Sequence, residues 1–249
     1  IILSEKKDNI LFRFAKENNF TFVEHNPYIG GRYSVFSEVG MLPAYLMGLK
    51  PNNFKKKLHR FLNNKKDLNQ LLKNLIKLKI HKSRVMIMFN YVPELNNFLY
   101  WSQQLFAESL GKNKKGFIPV VSSAPKDHHS LLQLYLDGPK DKIFYVFSAK
   151  KTKKLKLKSN IFKRNIKHLK NKSYQDVKSS QKNAFLATLK SNKTPFREII
   201  INNFDEDNLS KLFLLFIFET IALGKIMGVN PYNQPAVEKV KILTKKFFS

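Results

Sequence analysis

Val85-Met86-Ile87-Met88-Phe89 is an unbroken apolar run, preceded by Ser83-Arg84 and followed by Asn90. A strand with one wet face alternates polar and apolar residues, whereas a continuous run belongs to a strand buried on both faces, as in parallel sheets with helices on each side. Working outward, short apolar segments recur at residues 20–23, 117–121, 143–147 and 198–201. Helical patterns fill the intervals at 10–18, 39–47, 94–109, 175–189 and 208–227, from about 128 and from 234, and one long amphipathic stretch covers 52–79. Strands alternating with helices predict an α/β fold, a parallel sheet flanked by helices. Leu155-Lys156-Leu157 reads as an edge strand, and no internal repeat is visible.

The 249 residues are 43% hydrophobic and 13% aromatic, with 22 Phe, enough to fill one large core or parts of two. Cysteine is absent, which excludes disulfides, thiolate zinc sites and a cysteine nucleophile and fits a cytosolic protein. The longest apolar run, 212–223, contains Glu219 and falls short of the roughly 20 residues a membrane span needs, so it predicts a buried helix. The opening, Ile1-Ile2-Leu3-Ser4-Glu5-Lys6-Lys7, has no basic-then-apolar leader pattern and reads as a buried strand running into a charged turn, as in a chain that continues from an earlier segment.

A formal net charge of +27 raises the possibility of nucleic acid or an anionic surface as a partner. The lysines fall in scattered groups at 55–57, 150–158 and 163–172, interleaved with Asn and Ile throughout. That even enrichment is the mark of an AT-rich coding bias, and most such lysines are solvated surface. No nucleic-acid-binding module accompanies them.

Four segments carry residues suited to chemistry. In Gly30-Gly31-Arg32-Tyr33-Ser34 the glycines allow a sharp turn and close approach to a ligand, and Arg32 supplies a permanent, fork-shaped cation; an isolated tight turn with a surface arginine fits equally. In the helix containing Ala107-Glu108-Ser109-Leu110-Gly111-Lys112, Trp101, Leu105 and Glu108 share a face, so apolar neighbours would desolvate the carboxylate, unless Glu108 reaches solvent or an ion pair at the stripe's edge. In Asp127-His128-His129-Ser130, Asp127 is placed to cap a helix, with His129 in its first turn where the macrodipole disfavours imidazolium; a plain surface pair is the competing reading. In the terminal helix Gln234, Glu238 and Lys241 recur at i, i+4 and i+7, either facing a cleft together or forming an ordinary solvated face.

Taken in order, Gly30-Gly31-Arg32-Tyr33-Ser34-Val35-Phe36-Ser37-Glu38-Val39-Gly40, Ala107-Glu108-Ser109-Leu110-Gly111-Lys112, the segment from Asp127 to Asp137-Gly138-Pro139, and Val229-Asn230-Pro231-Tyr232-Asn233-Gln234-Pro235-Ala236-Val237-Glu238 resemble successive signature blocks of the glucose-6-phosphate isomerases. The resemblance covers nearly the whole chain. It implies a three-layer sugar-isomerase-type domain at 51–228, the remnant of a preceding domain of the same type at 1–50, and a C-terminal helix at 229–249. It also implies reversible conversion of glucose 6-phosphate to fructose 6-phosphate in the cytoplasm, without metal or organic cofactor, by a homodimer with shared active sites and no nucleic-acid or membrane partner.

By that likeness Glu108 matches the base that moves a proton between C2 and C1 through a cis-enediol. His129, supplied across the dimer interface, and Lys241 match residues that assist ring opening. Arg32 matches the arginine that stabilises the enediolate, while Gly31 and Gln234 match substrate contacts. Departures from the family pattern are His128 in place of Gln, Asn233 in place of Asp, Ala236 in place of Gly, and Ala124-Pro125 in place of Gly-Thr. A non-catalytic sugar-phosphate-binding regulator and a basic nucleic-acid-binding protein are the alternatives; binding alone would not require Glu108, His129 and Lys241 together.

Overall fold

The computed structural model describes residues 1–78, 80–150, 169 and 172–248. The expected edge strand at Leu155-Lys156-Leu157 lies outside the described residues. The chain divides into two compact units: residues 1–74, 104–115 and 205–249 form one, and residues 75–103 and 116–204 the other.

The second unit is built on the short apolar segments of the chain, Val85-Met86-Ile87-Met88-Phe89 among them. β3 (Val85–Asn90), β4 (Ile118–Ser123), β5 (Lys142–Ala149) and β6 (Phe196–Ile201) form one sheet in the order β4-β3-β5-β6, every pair parallel. Met88 sits between Val121 and Tyr145 in the register. Met86, Ile87, Met88 and Phe89 are fully buried, as are Ile143, Phe144, Tyr145, Val146 and Phe147, so both faces of the central strands are covered. On one face Ile87, Phe89, Phe144 and Val146 pack with Tyr135 of α7 (Leu132–Asp137) and with Phe185 and Leu189 of α8 (Tyr174–Ser191). The Phe89 and Phe185 rings lie 4.6 Å apart. Ser173 opens α8 through a reciprocal capping box with Asp176.

The first unit begins with β1 (Ile2–Ser4), the strand expected at the chain's opening but half-buried and not buried, paired in parallel with β2 (Phe22–Glu24). Between them α1 (Ile10–Glu17) starts at Asn9, whose side chain accepts from Phe12 N. A 3₁₀ turn (Gly31–Phe36) leads through the cap Ser37 into α2 (Glu38–Leu46). The stretch 52–79, read as one amphipathic helix, is two: α3 (Pro51–Asn63) and α4 (Lys65–Leu78), because Asn64 leaves helical geometry at φ −91° and ψ 81°. Asn63-Asn64 is a weak point in helix propensity, and apolar periodicity alone does not register it.

Later in the chain α5 (Asn96–Leu110) supplies its last turns to the first unit, and α9 (Glu206–Met227) is the buried helix expected from its apolar run. α9 starts at Asp205, which accepts from Asn208 N, and packs Phe216 on Phe106, Phe213 on Phe36 and Phe218 on Phe61. It stops at Gly228, whose φ of 65° and ψ of 38° form a left-handed cap. α10 (Pro235–Phe247) follows, its first turn entered through Pro235. No helix among the described residues is long and apolar enough to cross a membrane.

Candidate active site

Arg32 is the centre of the site. The 3₁₀ turn that carries it is closed by Tyr33 N donating to Gly30 O and by Ser34 Oγ donating to Gly31 O, and it buries Arg32 to 4% exposure. A buried guanidinium has five N–H groups to satisfy. Nε donates to Ser109 Oγ at 2.8 Å, and Nη2 to the backbone oxygens of Pro231 at 2.7 Å and Asn233 at 3.2 Å. Nη1 donates to Gln234 Oε1 at 2.8 Å and to Glu108 Oε2 at 3.3 Å. Residues 76 to 202 positions away in sequence are therefore drawn to one cation.

Glu108 and Ser109 reach it from the end of α5. Glu108 is 28% exposed at its side chain and not enclosed by apolar groups: Oε2 faces Arg32, and Oε1 accepts from Gln104 Nε2 at 3.0 Å. The expected desolvation by Trp101 and Leu105 gives way to an ion pair, because the carboxylate lies at the border of the buried stripe while Leu105 is its centre. Lys112 closes the helix by donating to the carbonyls of Glu108 at 2.8 Å and Ser109 at 2.7 Å. Burial pulls the Lys112 ammonium below its ordinary value, and the nearby Arg32 charge adds to the effect while Glu108 opposes it.

The loop after α9 delivers the third component. Gly224 lets this loop pass close: a Cβ there would stand 3.2 Å from Pro231. Tyr232 N donates to Asn230 Oδ1, the Tyr232 ring lies 5.7 Å from that of Tyr33, and the Pro231 and Asn233 carbonyls turn toward Arg32. Tyr33 completes the arrangement, its hydroxyl 2.9 Å from Ser109 Oγ and donating to Pro231 O at 3.2 Å. Burial pushes the Tyr33 phenol up from its ordinary value, with the Ser109 hydrogen bond and the Arg32 charge acting the other way, so it stays a neutral donor.

Of the residues singled out from sequence, Arg32, Glu108 and Gln234 thus meet. Gly31 is exposed at the start of the same turn, and neither it nor Gly30 has a positive φ, so a lack of crowding and not a left-handed backbone distinguishes them. Lys241 lies on the exposed side of α10, about two turns beyond Gln234.

His129 belongs to the other unit. The helix that holds it, α6 (Lys126–Ser130), begins after Pro125, not at Asp127. Asp127 is no cap: its carboxylate is buried and accepts from Ser122 Oγ and Ser123 N, both at 2.8 Å, which removes it from the helix end. His129 consequently stands in the last turn and is exposed, so the first-turn macrodipole argument does not apply to it. Its neighbour His128 is the histidine tied into the fold, with Nε2 2.5 Å from the Tyr91 hydroxyl; burial lowers the His128 pKa and raises that of Tyr91. Ser109 and Tyr33 were not picked out as site residues by sequence reasoning, although both stand inside the quoted motifs. Among the described residues no cluster of three or more His, Asp or Glu side chains could hold a metal ion.

Comparison with known proteins identifies the family. The chain is 34% identical to the glucose-6-phosphate isomerase of Methanocaldococcus jannaschii over 93% of this chain and 59% of that protein. It is 32% identical to the probable glucose-6-phosphate isomerase of Methanococcus maripaludis, over 92% and 53%. The chain therefore spans little more than half the length of these curated relatives. Among solved structures, a hypothetical protein from Thermus thermophilus shares the fold with a TM-score of 0.85 at 22% identity, covering 99% of this chain and 62% of that one. A glucose-6-phosphate isomerase from Chlamydia trachomatis does so with a TM-score of 0.70 at 17% identity, covering 99% and 52%. These neighbours place the architecture among the sugar-isomerase-type folds. Residues 3–249 match the family described as phosphoglucose isomerase, and the chain belongs to that family.

Proposed function

We propose that this chain carries the proton-transfer half of a glucose-6-phosphate isomerase, interconverting glucose 6-phosphate and fructose 6-phosphate. The observation that carries the reading is the pairing of the partly exposed Glu108 carboxylate with the buried, fully bonded Arg32, 3.3 Å apart. An aldose–ketose shift must remove a weakly acidic carbon-bound proton and hold the oxyanion that results, which asks for a base beside a fixed cation. In the forward direction Glu108 takes the C2 proton of the open-chain aldose, the C2–H electrons form the C1=C2 bond, and O1 becomes the oxyanion facing Arg32 Nη1. A proton passes from O2 to O1, and Glu108 returns its proton to C1, leaving the C2 carbonyl of the ketose. Gln234, sharing Nη1 with Glu108, orients the sugar hydroxyls at the same place, and Gly31 leaves room beside them.

His129 and Lys241 take the ring-opening step, His129 from a second copy of the chain, in a cytoplasmic homodimer acting in glycolysis and gluconeogenesis. On this reading residues 51–228 form a sugar-isomerase domain, residues 1–50 belong to a preceding one and residues 229–249 are the C-terminal helix. A coupled assay of fructose 6-phosphate conversion tests the reading, with the complete product of the gene as wild type and as Glu108→Gln. Wild type turns over and the variant loses at least about 10²–10⁴-fold in kcat, the range of positioned acid–base catalysis. An inactive wild type, or a variant within about threefold of it, overturns the reading.

A further inference from the structure

We propose that Ser109, with Tyr33 behind it, is a positioning residue for Arg32: its hydroxyl fixes the plane of the guanidinium so that Nη1 alone is presented to Glu108 and Gln234. The inference rests on the isomerase reading for its kinetic meaning and on geometry for its substance.

A guanidinium is a rigid planar fork, so fixing two of its edges fixes the third. One edge of Arg32 is held by Ser109 Oγ on Nε at 2.8 Å, and another by the Pro231 and Asn233 carbonyls on Nη2 at 2.7 and 3.2 Å. None of these three acceptors has a part in the proposed chemistry. The remaining nitrogen, Nη1, meets the two side chains that do, Glu108 and Gln234. Ser109 follows Glu108 directly on α5, so one helical turn both presents the carboxylate and sets the direction of the cation it works beside.

The proton inventory supports the assignment. Tyr33 has one hydroxyl proton, and donating it to Pro231 O leaves its oxygen to accept from Ser109. The Ser109 proton is thereby directed toward Tyr33, and a lone pair is left facing Arg32 Nε. Ser109 is fully buried, so no water replaces its hydroxyl at that spot without rearrangement. The Arg32 guanidinium also lies over the Tyr33 ring, 5.3 Å from its centroid, which restrains it from the side.

The test uses the complete gene product with Ser109→Ala, Tyr33→Phe, Arg32→Lys and the double variant Ser109→Ala/Arg32→Lys. Small displacements of a reacting group cost on the order of 10²-fold, so Ser109→Ala is expected to lower kcat about 10- to 100-fold with KM within about threefold. Tyr33→Phe is expected to lower it less, by about threefold to tenfold, since Ser109 keeps its hydroxyl. Lysine has no Nε–H to fix, so in the Arg32→Lys background Ser109→Ala should have no further effect. A readout independent of turnover is the solvent exchange of the Arg32 Nε–H resonance in ¹⁵N NMR, which should accelerate in Ser109→Ala.

Unchanged kcat in Ser109→Ala, an equal loss in the lysine background, or unchanged Nε–H exchange would each overturn the proposal. If wild type converts no sugar phosphate, the isomerase reading falls instead, and Nε–H exchange still decides whether Ser109 orients Arg32.

Discussion

Arg32, which is buried, and His128, which is half-buried, show how differently two ionisable side chains can be accommodated. The Arg32 N–H groups find acceptors in side chains and backbone carbonyls, whereas His128 has the Tyr91 hydroxyl and a shell of rings, with Phe89 at 5.3 Å and Phe185 at 5.7 Å. Its lowered pKa has a definite consequence for stability. Between its folded value and the unfolded value of about 6.5, the unfolded chain binds the proton that the folded chain refuses, so stability falls as pH is lowered through that window. His128→Gln retains a side chain able to bond Tyr91 and removes the titration. Urea midpoints measured from pH 7.5 to 5.5 should therefore decline more steeply for wild type than for the variant; parallel declines would show that His128 does not contribute.

The residue scale is also where sequence reading was least even. Arg32, Glu108 and Gln234 could be named because each stands in a short contiguous motif. The roles of Ser109 and Tyr33 depend on a meeting of segments that no local pattern records. The histidines show the opposite failure, in which a good local rule was overruled. Asp127 has the sequence position of a helix cap, yet Ser122 and Ser123 at the end of β4 offer its carboxylate two donors and take it out of that role.

At the scale of elements, the two central strands of the second unit were legible because burial on both faces leaves an uninterrupted apolar run, as residues 85–89 and 143–147 show. The break at Asn64 was not, since the apolar periodicity continues across it while the backbone does not. The end of α9 matters more for the site. Gly228 stops the helix in a left-handed conformation, and the following residues carry Pro231, Asn233 and Gln234 to Arg32. A side chain at φ 65° costs about 1–2 kcal/mol. Gly228→Ala should lower unfolding stability by about that amount and weaken turnover through the displaced loop, whereas Gly228→Asn, which tolerates this region, should cost less. Equal stability of Gly228→Ala and wild type in urea would show that the left-handed cap contributes nothing.

For the whole molecule, composition was the least informative signal and order of motifs the most. The 45 Lys and Arg residues, against 18 Asp and Glu, are scattered along the sequence without marking a site, while three segments separated by most of the chain's length were needed to assemble one. The family match spans residues 3–249, while the chain covers 59% and 53% of the length of the two Methanocaldococcus and Methanococcus relatives. On the proposed function Glu108 moves a carbon-bound proton beside Arg32. Deuterium incorporation from D₂O into glucose 6-phosphate at C2 and fructose 6-phosphate at C1, followed by NMR, tests it most directly. Incorporation by wild type that disappears in Glu108→Gln, with the variant still folded, is the predicted result; incorporation at the same rate in the variant, or none in wild type, would contradict it.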